Sequence, residues 1–183
     1  MRKIADIDVL GDEVLQGRIS WLSMGIFVVT LVVAVLFAVS GASERIDAWW
    51  WVALGLGSLV ALPVHELVHG AAFKLLRPGC RVSFGFQDAF LYTRTDDAVL
   101  PRGRMVAALL APALLVTVAL MAAALAAGRP VLAVLLAGVH LAGCAGDILM
   151  AAAILREDAC THVLDTDSGI TLLSDREERG SRR

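Results

Sequence analysis

The chain has 183 residues, of which 58% are hydrophobic and only 19% charged, and its mean hydropathy is +0.74. This composition is too apolar for an ordinary soluble domain and indicates an integral membrane protein. The net charge of −2 argues against a nucleic-acid partner, which would require a concentrated basic face.

The first apolar span runs from Ile19 to Val39 without a charged residue. About 20 apolar residues are enough for a helix to cross a hydrocarbon core of roughly 30 Å, so a transmembrane helix is predicted here. The preceding segment, residues 1–18, lacks the features of a cleaved secretory signal and is interpreted as a cytoplasmic segment.

The second span runs from about Ala48 to Leu76 and contains Pro63, which cannot donate a backbone hydrogen bond. A kink or a locally loosened helix is therefore predicted just before the motif His65-Glu66-Leu67-Val68-His69. On a helix, residues i and i+4 lie one above the other, so the two imidazoles can bind one metal ion with Glu66 beside them.

A short β-hairpin is predicted between the second and third spans. Arg81 to Phe86 alternates in polarity, and Ala89 to Thr93 is rich in β-prone residues, with Gln87-Asp88 at the turn. An apolar hairpin next to a membrane must lie at the interface, pack on protein, or pair with a substrate strand. The residues expected to contact a substrate here are Val82, Phe84 and Phe86.

The third span is predicted from Met105 to Ala127 and the fourth from Val131 to Leu155. The predicted fold is an all-α polytopic membrane protein of about four transmembrane helices with the interfacial hairpin between helices 2 and 3. Residues 19–155 form the membrane-embedded domain. Residues 156–183 are charged and without periodicity, which predicts a flexible cytoplasmic tail.

The distribution of basic residues predicts the orientation of the chain. If the N-terminus, the loop between spans two and three, and the tail are cytoplasmic, 14 of the 16 Lys and Arg residues lie on that side. Only Arg45 and Arg129 are then outside. Spans two and four run in the same direction in this arrangement, from outside to inside.

The third metal ligand is predicted from depth in the membrane. At 1.5 Å per residue, His65 and Asp147 both lie about 25 Å below the outer boundary. Asp147 can therefore complete the ligand set of His65 and His69, although a helix–helix hydrogen bond is the alternative role. Gly143 and Gly146 are expected to allow close approach of the fourth helix.

Two other polar residues of the fourth span, Cys144 and His140, compete for the third position. Cys144 can reach the same helix face as Asp147, but a single thiol in an apolar span usually behaves as a small hydrophobic residue. His140 lies about 10 Å above Asp147 on a straight helix, too far to bind the same ion. A substrate-facing or supporting role suits His140 better.

Three protein ligands leave the fourth position of zinc open for a water molecule, whose pKa the ion lowers toward about 7. Glu66 could take a proton from that water and pass it to the leaving amine. The predicted reaction is hydrolysis of a peptide bond near the cytoplasmic side of the bilayer, with a membrane-anchored peptide or protein as the substrate.

Three stretches carry a resemblance to a known family: the HELVH motif of the second span, Met105 to Pro112, and His140 to Asp147. Between about Trp49 and Leu155 the chain resembles the small putative zincin-peptidase membrane family, which is related to site-2 intramembrane metalloproteases. The resemblance implies that the imidazoles of the motif bind zinc, that Glu66 is the catalytic base and that Asp147 is the third ligand. The family commonly has asparagine where this chain has His140.

Two other classes of function remain open from the sequence. One is a metal-binding membrane scaffold without hydrolytic activity, and the other is a transporter component whose buried His and Asp residues carry protons or ions. Zinc content separates the transporter from the other two. Substitution of Glu66 separates the peptidase from the scaffold.

Overall fold

The computed structural model describes residues 1–9, 11–41, 44–87, 90–95, 98–166 and 168–175. These residues form five helices, α1 (Glu13–Val39), α2 (Ala48–Leu76), α3 (Arg102–Ala126), α4 (Pro130–Gly143) and α5 (Ala145–Arg156). They also form six strands, β1 (Arg2–Asp8), β2 (Val82–Gln87), β3 (Phe90–Thr95), β4 (Val99–Pro101), β5 (His162–Thr166) and β6 (Gly169–Ser174).

The helices α1, α2 and α3 are each long and apolar enough to cross a membrane. Their 25 to 29 residues correspond to lengths of roughly 38 to 44 Å at 1.5 Å per residue, which exceeds the hydrocarbon thickness. Helix α1 begins earlier than the apolar stretch because the Asp12 side chain caps it, accepting hydrogen bonds from the N–H groups of Val14 and Leu15.

The fourth apolar stretch is not one straight helix, which corrects the sequence prediction. Helices α4 and α5 are bent by 56° relative to each other at Cys144. The N–H of Cys144 is shared between the carbonyl oxygens of His140 and Leu141, both at 3.1 Å, so the last turn of α4 is tightened. The pair is a fourth crossing only if its two halves together form one broken span.

Two glycines, Gly138 and Gly57, lie where helices pack closely. A Cβ at Gly138 in α4 would lie only 2.0 Å from Thr30 Oγ1 in α1, and a Cβ at Gly57 would lie 2.9 Å from a methyl group of Leu136. By contrast, a Cβ at Gly143 or Gly146 would meet no atom within 4 Å. The prediction that these last two glycines permit close helix contact is therefore wrong.

The hairpin that the sequence predicts between the second and third apolar helices is confirmed. Strands β2 and β3 form a two-stranded antiparallel sheet in which Val82 pairs with Thr95 and Phe84 with Thr93. Of the predicted turn residues, Asp88 lies outside the described part of the chain.

A second, four-stranded antiparallel sheet in the order β1-β6-β5-β4 is the largest departure from the sequence prediction. Two of its strands, β5 and β6, lie in the segment for which a flexible tail is predicted. The reason is that β5 and β6 contain only two and three large apolar residues and no clear alternation, too little to stand out within a charged segment. Val163, Ile170 and Leu172 are buried in one cluster with Met105 and Ile154, which joins the sheet to α3 and α5.

The four-stranded sheet joins three distant parts of the chain. Its strands come from the segment before α1, from the segment between α2 and α3, and from the segment after α5. All three segments therefore lie together at the same end of the helices.

Candidate metal centre

The two histidines of the HELVH motif lie on one face of α2. Their ring centroids are 4.7 Å apart, as the spacing of four residues on a helix requires. His69 is buried and His65 is partly buried, so both imidazoles are directed into the helix assembly.

Asp147, in the first turn of α5, lies against both imidazoles. Its Oδ2 atom is 3.2 Å from Nε2 of His65, and its Oδ1 atom is 3.5 Å from Nε2 of His69. These three side chains, which we call the carboxylate set, are only 9% to 15% exposed. The structure thus brings together three residues from two helices. His65 and Asp147, the most distant pair, are 82 residues apart in sequence.

The carboxylate set fits zinc by its donor chemistry and its spacing. Two imidazole nitrogens and one carboxylate are a ligand set found in zinc hydrolases. Ligand bonds of about 2.0–2.1 Å at the tetrahedral angle place two donor atoms about 3.3 Å apart, close to the separations observed here. One donor atom from each of the three residues lies within 4.8 Å of the other two.

The orientation of the His69 ring is fixed by a hydrogen bond to the backbone of α3. Its Nδ1 atom donates to the carbonyl oxygen of Ala108 at a distance of 3.0 Å, which leaves the lone pair on Nε2 directed at Asp147. This carbonyl is available because Pro112, four residues later, has no N–H to bond to it. Sequence reasoning missed this support for His69, but the signal was present as a proline inside an apolar helix.

Glu66 is partly buried on α2 between the two histidines of the motif. Its backbone carbonyl accepts a hydrogen bond of 2.8 Å from Oγ1 of Thr93 in β3. The hairpin is thereby attached to the helix at the motif itself.

The hairpin also packs on α2 one residue beyond the motif. A Cβ at Gly70 would lie 2.6 Å from the ring of Phe84 and 3.3 Å from a methyl group of Val82, so only glycine permits this contact. Phe84 is nevertheless 53% exposed, which leaves part of this face open. The side chain of Phe86 lies outside the described part of the structure.

The hairpin is joined to the four-stranded sheet by Asp165 of β5, which lies in the segment for which a flexible tail is predicted. Its Oδ2 atom accepts hydrogen bonds from the backbone N–H and the hydroxyl of Thr95, at 2.9 and 2.6 Å. Burial raises the pKa of the Asp165 carboxyl, and the hydrogen bonds from Thr95 offset only part of this increase.

His140 lies much closer to the motif than a straight fourth helix allows. Its Nε2 atom is 3.3 Å from Nδ1 of His65, and its Nδ1 atom is 2.8 Å from Oγ1 of Thr117 in α3. The estimated separation of 10 Å assumes a straight helix, and the bend at Cys144 makes that assumption wrong. Sequence reasoning did not identify Thr117, although a hydroxyl group at membrane depth is a signal for such a contact.

Cys144 lies at the bend, next to the same two histidines. Its Sγ atom is 3.7 Å from Nδ1 of His65 and 3.9 Å from Nε2 of His140. His65, His140 and Cys144, which we call the thiol set, also place one donor atom each within 4.8 Å of the other two. The two sets share His65 but use its opposite ring nitrogens.

Comparison with known proteins places these residues in a family. A sequence model of the family described as putative zincin peptidase matches residues 58–161, more than half of the chain. The matched segment contains every member of the carboxylate set and Glu66. No curated protein and no solved structure matches the chain. The chain therefore belongs to the putative zincin peptidase family.

Proposed function

We propose that the protein is a zinc-dependent membrane metallopeptidase that hydrolyses peptide bonds of membrane-anchored substrates near the cytoplasmic face. The observation that carries the proposal is the approach of Asp147 to both imidazoles of the motif at 3.2 and 3.5 Å. Membership in a zincin family adds independent support, since it implies zinc and peptidase chemistry.

His65, His69 and Asp147 would hold the zinc ion. When bound, zinc supplies Lewis acidity, which activates water for attack and polarises the scissile carbonyl group. The residues of the chain provide the orientation. The hydrogen bond from His69 to the Ala108 carbonyl holds that ring with Nε2 facing the site.

Glu66 is the proposed general base. It is adjacent to His65 in sequence, so its carboxylate lies beside the ligand set and not within it. The carboxylate would accept a proton from the attacking water and then donate that proton to the nitrogen of the departing amine. The hydrogen bond from Thr93 to the backbone carbonyl of Glu66 fixes the hairpin relative to this base.

The arrangement of the sheet supports a multi-pass topology with both chain ends on one side. The segments before α1, between α2 and α3, and after α5 all contribute strands to one sheet. Helix α1 would then cross the membrane and α2 would cross back. In the same way, α3 would cross the membrane and the bent α4–α5 pair would return. Nine basic residues lie in these three segments of the sequence and five more in the adjoining ends of α1, α2, α3 and α5, which favours the cytoplasmic side.

A substrate strand could pair with β2. Among the described residues, β2 pairs only with β3, so its other backbone edge is open to an extended peptide. A helical peptide bond is shielded from attack, and strand pairing would hold the substrate extended beside Glu66. A proline at a β2 residue whose N–H points away from β3 is expected to reduce cleavage without loss of zinc.

The decisive experiment compares the wild type with Glu66→Gln. Both proteins are reconstituted with membrane-anchored peptides in lipid vesicles, and products are identified by mass spectrometry. We expect about one zinc per chain in both proteins and a loss of cleavage of about 10²- to 10⁴-fold in Glu66→Gln, since general base catalysis contributes that much. Glu13→Gln, at the exposed start of α1, is the matched control and should cleave like the wild type.

Two results would contradict the proposal. Equal cleavage by Glu66→Gln and the wild type would exclude Glu66 as the base. A zinc-loaded wild type that cuts none of the peptides would favour a metal-binding scaffold without hydrolytic activity.

A further inference from the structure

His65 is the only residue that belongs to both ligand sets among the described residues. Nε2 of His65 faces Asp147 at 3.2 Å, whereas Nδ1 faces His140 at 3.3 Å and the thiol of Cys144 at 3.7 Å. The proposed peptidase mechanism uses only the first of these two sides.

We propose that the thiol set, His65, His140 and Cys144, is a second zinc site that competes with the carboxylate set for His65. Its ligands are two imidazoles and one thiol, a combination that suits zinc. Zinc bonds of about 2.0–2.1 Å to nitrogen and 2.3 Å to sulfur place two nitrogens about 3.3 Å apart and a nitrogen and a sulfur about 3.6 Å apart at the tetrahedral angle. The observed separations of 3.3, 3.7 and 3.9 Å are close to these values.

The surroundings of His140 resemble those of a metal-bound histidine. Histidines that bind a metal through one ring nitrogen usually form a hydrogen bond through the other, which fixes the tautomer. Nδ1 of His140 lies 2.8 Å from the Thr117 hydroxyl in a buried contact. When Nδ1 donates to this hydroxyl, the lone pair on Nε2 is directed toward His65 and Cys144.

Competition follows from the protonation of His65. A neutral imidazole carries one proton and therefore offers a lone pair at only one nitrogen at a time. With zinc in the carboxylate set, Nε2 binds the ion and the Nδ1 proton is donated to Nε2 of His140. With zinc in the thiol set, Nδ1 binds the ion and the Nε2 proton is donated to Asp147.

In each state, the ring nitrogen of His65 that does not bind zinc keeps a hydrogen-bond partner. This partner is Asp147 at 3.2 Å from Nε2 or His140 at 3.3 Å from Nδ1. Binding in the thiol set also releases the thiol proton of Cys144 to solvent. That proton is otherwise donated to the carbonyl oxygen of His140 at 3.2 Å. The cost of losing this hydrogen bond is offset by the bond between sulfur and zinc.

The regulatory consequence rests on the proposed function. Zinc in the thiol set removes His65 from the catalytic ion, so chains that hold zinc in the thiol set would not cleave. Because the two sets share one ligand, their relative affinities and not the zinc concentration fix the active fraction of zinc-loaded chains. The bend at Cys144 is what makes this possible, because on a straight helix His140 would lie too far from His65.

Cobalt titration of the metal-free, full-length protein in detergent tests the proposal, because cobalt bound to thiolate has a charge-transfer band in the near ultraviolet. The titration uses a Cys80→Ser/Cys160→Ser background, in which Cys144 is the only cysteine. We expect one cobalt per chain and a thiolate band of partial intensity. Substitution His69→Ala or Asp147→Asn should strengthen the band, since the competing set is weakened, and Cys144→Ser should remove it.

Three results would overturn the proposal. The first is that the band is absent in both His69→Ala and Asp147→Asn although Cys144 is confirmed as a free thiol. The second is that the band persists in Cys144→Ser. The third is that each chain binds two cobalt ions. Circular dichroism checks that each variant is folded.

Cleavage assays separate the failure of this proposal from failure of the peptidase assignment. At saturating zinc, Cys144→Ser should cleave faster than the wild type, because zinc can then occupy only the carboxylate set. Equal cleavage by both proteins would contradict the regulatory role of the thiol set alone. A normal thiolate band in a wild type that cleaves no peptide would contradict the peptidase assignment alone.

Discussion

The metal ligands come from two helical segments, α2 and the α4–α5 pair, which differ in whether the helix is continuous. Helix α2 continues from Ala48 to Leu76 through Pro63, whereas the fourth apolar stretch breaks at Cys144 without a proline. The helix through Pro63 therefore does not end where the sequence predicts a disturbance. The break that shapes the site occurs where a cysteine N–H is shared between two carbonyls.

This difference decides how far spacing arguments apply in each segment. In α2 the four-residue spacing correctly places His65 and His69 on one face. In α4–α5 the seven-residue spacing between His140 and Asp147 does not translate into distance, because it spans the bend. A continuous helix preserves sequence periodicity in space, and a broken one does not.

The largest expected effect tests the contribution of α5 to the site. The test uses a Cys144→Ser background, which removes the thiol set. There Asp147→Asn replaces a charged ligand with a neutral amide, so we expect the zinc affinity to fall more than about 100-fold, since even supporting residues contribute 10- to 100-fold. Competition with a chromogenic chelator measures this affinity. Asp158→Asn, at an exposed position just after α5, is the control and should bind zinc normally. Unchanged affinity in Asp147→Asn would exclude Asp147 as a zinc ligand.

A second prediction compares glycines of the two segments. A Cβ at Gly138 would overlap Thr30, whose hydroxyl is held by a 2.8 Å hydrogen bond to the Ile26 carbonyl, whereas a Cβ at Gly57 would touch only the end of the Leu136 side chain. Gly138→Ala should therefore lower the free energy of unfolding by about 1–3 kcal/mol, and Gly57→Ala by clearly less. Denaturant unfolding in detergent compares the two variants, and equal losses would contradict tight packing of α4 on α1.

A third prediction concerns the proline of α3 that frees the Ala108 carbonyl. In the Cys144→Ser background, Pro112→Ala restores an N–H that competes with His69 for this carbonyl, so zinc affinity should fall by about 10-fold. The helix itself should become no less stable, because alanine is the better helix former. Pro63→Ala restores an N–H in α2 without affecting the Ala108 carbonyl and is the matched control. An equal loss of zinc affinity in both variants would exclude the specific role of Pro112.

The smallest expected effect concerns pH and the joint between hairpin and sheet. Because burial raises the pKa of Asp165, the native protein retains this proton at pH values where the unfolded chain has released it. Its contribution to stability is thus lost as the pH rises from about 4 through the raised pKa. Asp165→Asn lacks this dependence, so its melting temperature relative to the metal-free wild type should be higher at pH 7 than at pH 4. A difference that is constant with pH would contradict the raised pKa.

Much of the helical architecture and of the catalytic motif was predictable from local patterns. Long apolar stretches predict helices because the backbone must satisfy its own hydrogen bonds in an apolar environment. The hairpin between α2 and α3 was predictable from alternation and turn residues. The proximity of Asp147 to the motif followed from comparing depths along two segments of the same direction, which requires no knowledge of side-chain packing.

The four-stranded sheet could not be predicted in the same way. Its strands β1 and β6 are separated by the whole helical region, and each is too short to be recognised without its partner. Pairing between distant segments depends on the arrangement of the helices between them. The burial of Asp165 depends on the same pairing and was missed for the same reason.

The sequence by itself thus determined the apolar helices, the hairpin and the identities of His65, Glu66, His69 and Asp147 as candidates for zinc chemistry. These features depend on composition and on periodicity within single segments. Only the tertiary structure decided the bend at Cys144, the contact of His140 with His65 and the support of His69 by the Ala108 carbonyl. Each of these depends on which backbone groups remain unpaired when helices meet, and that is a property of the packed assembly.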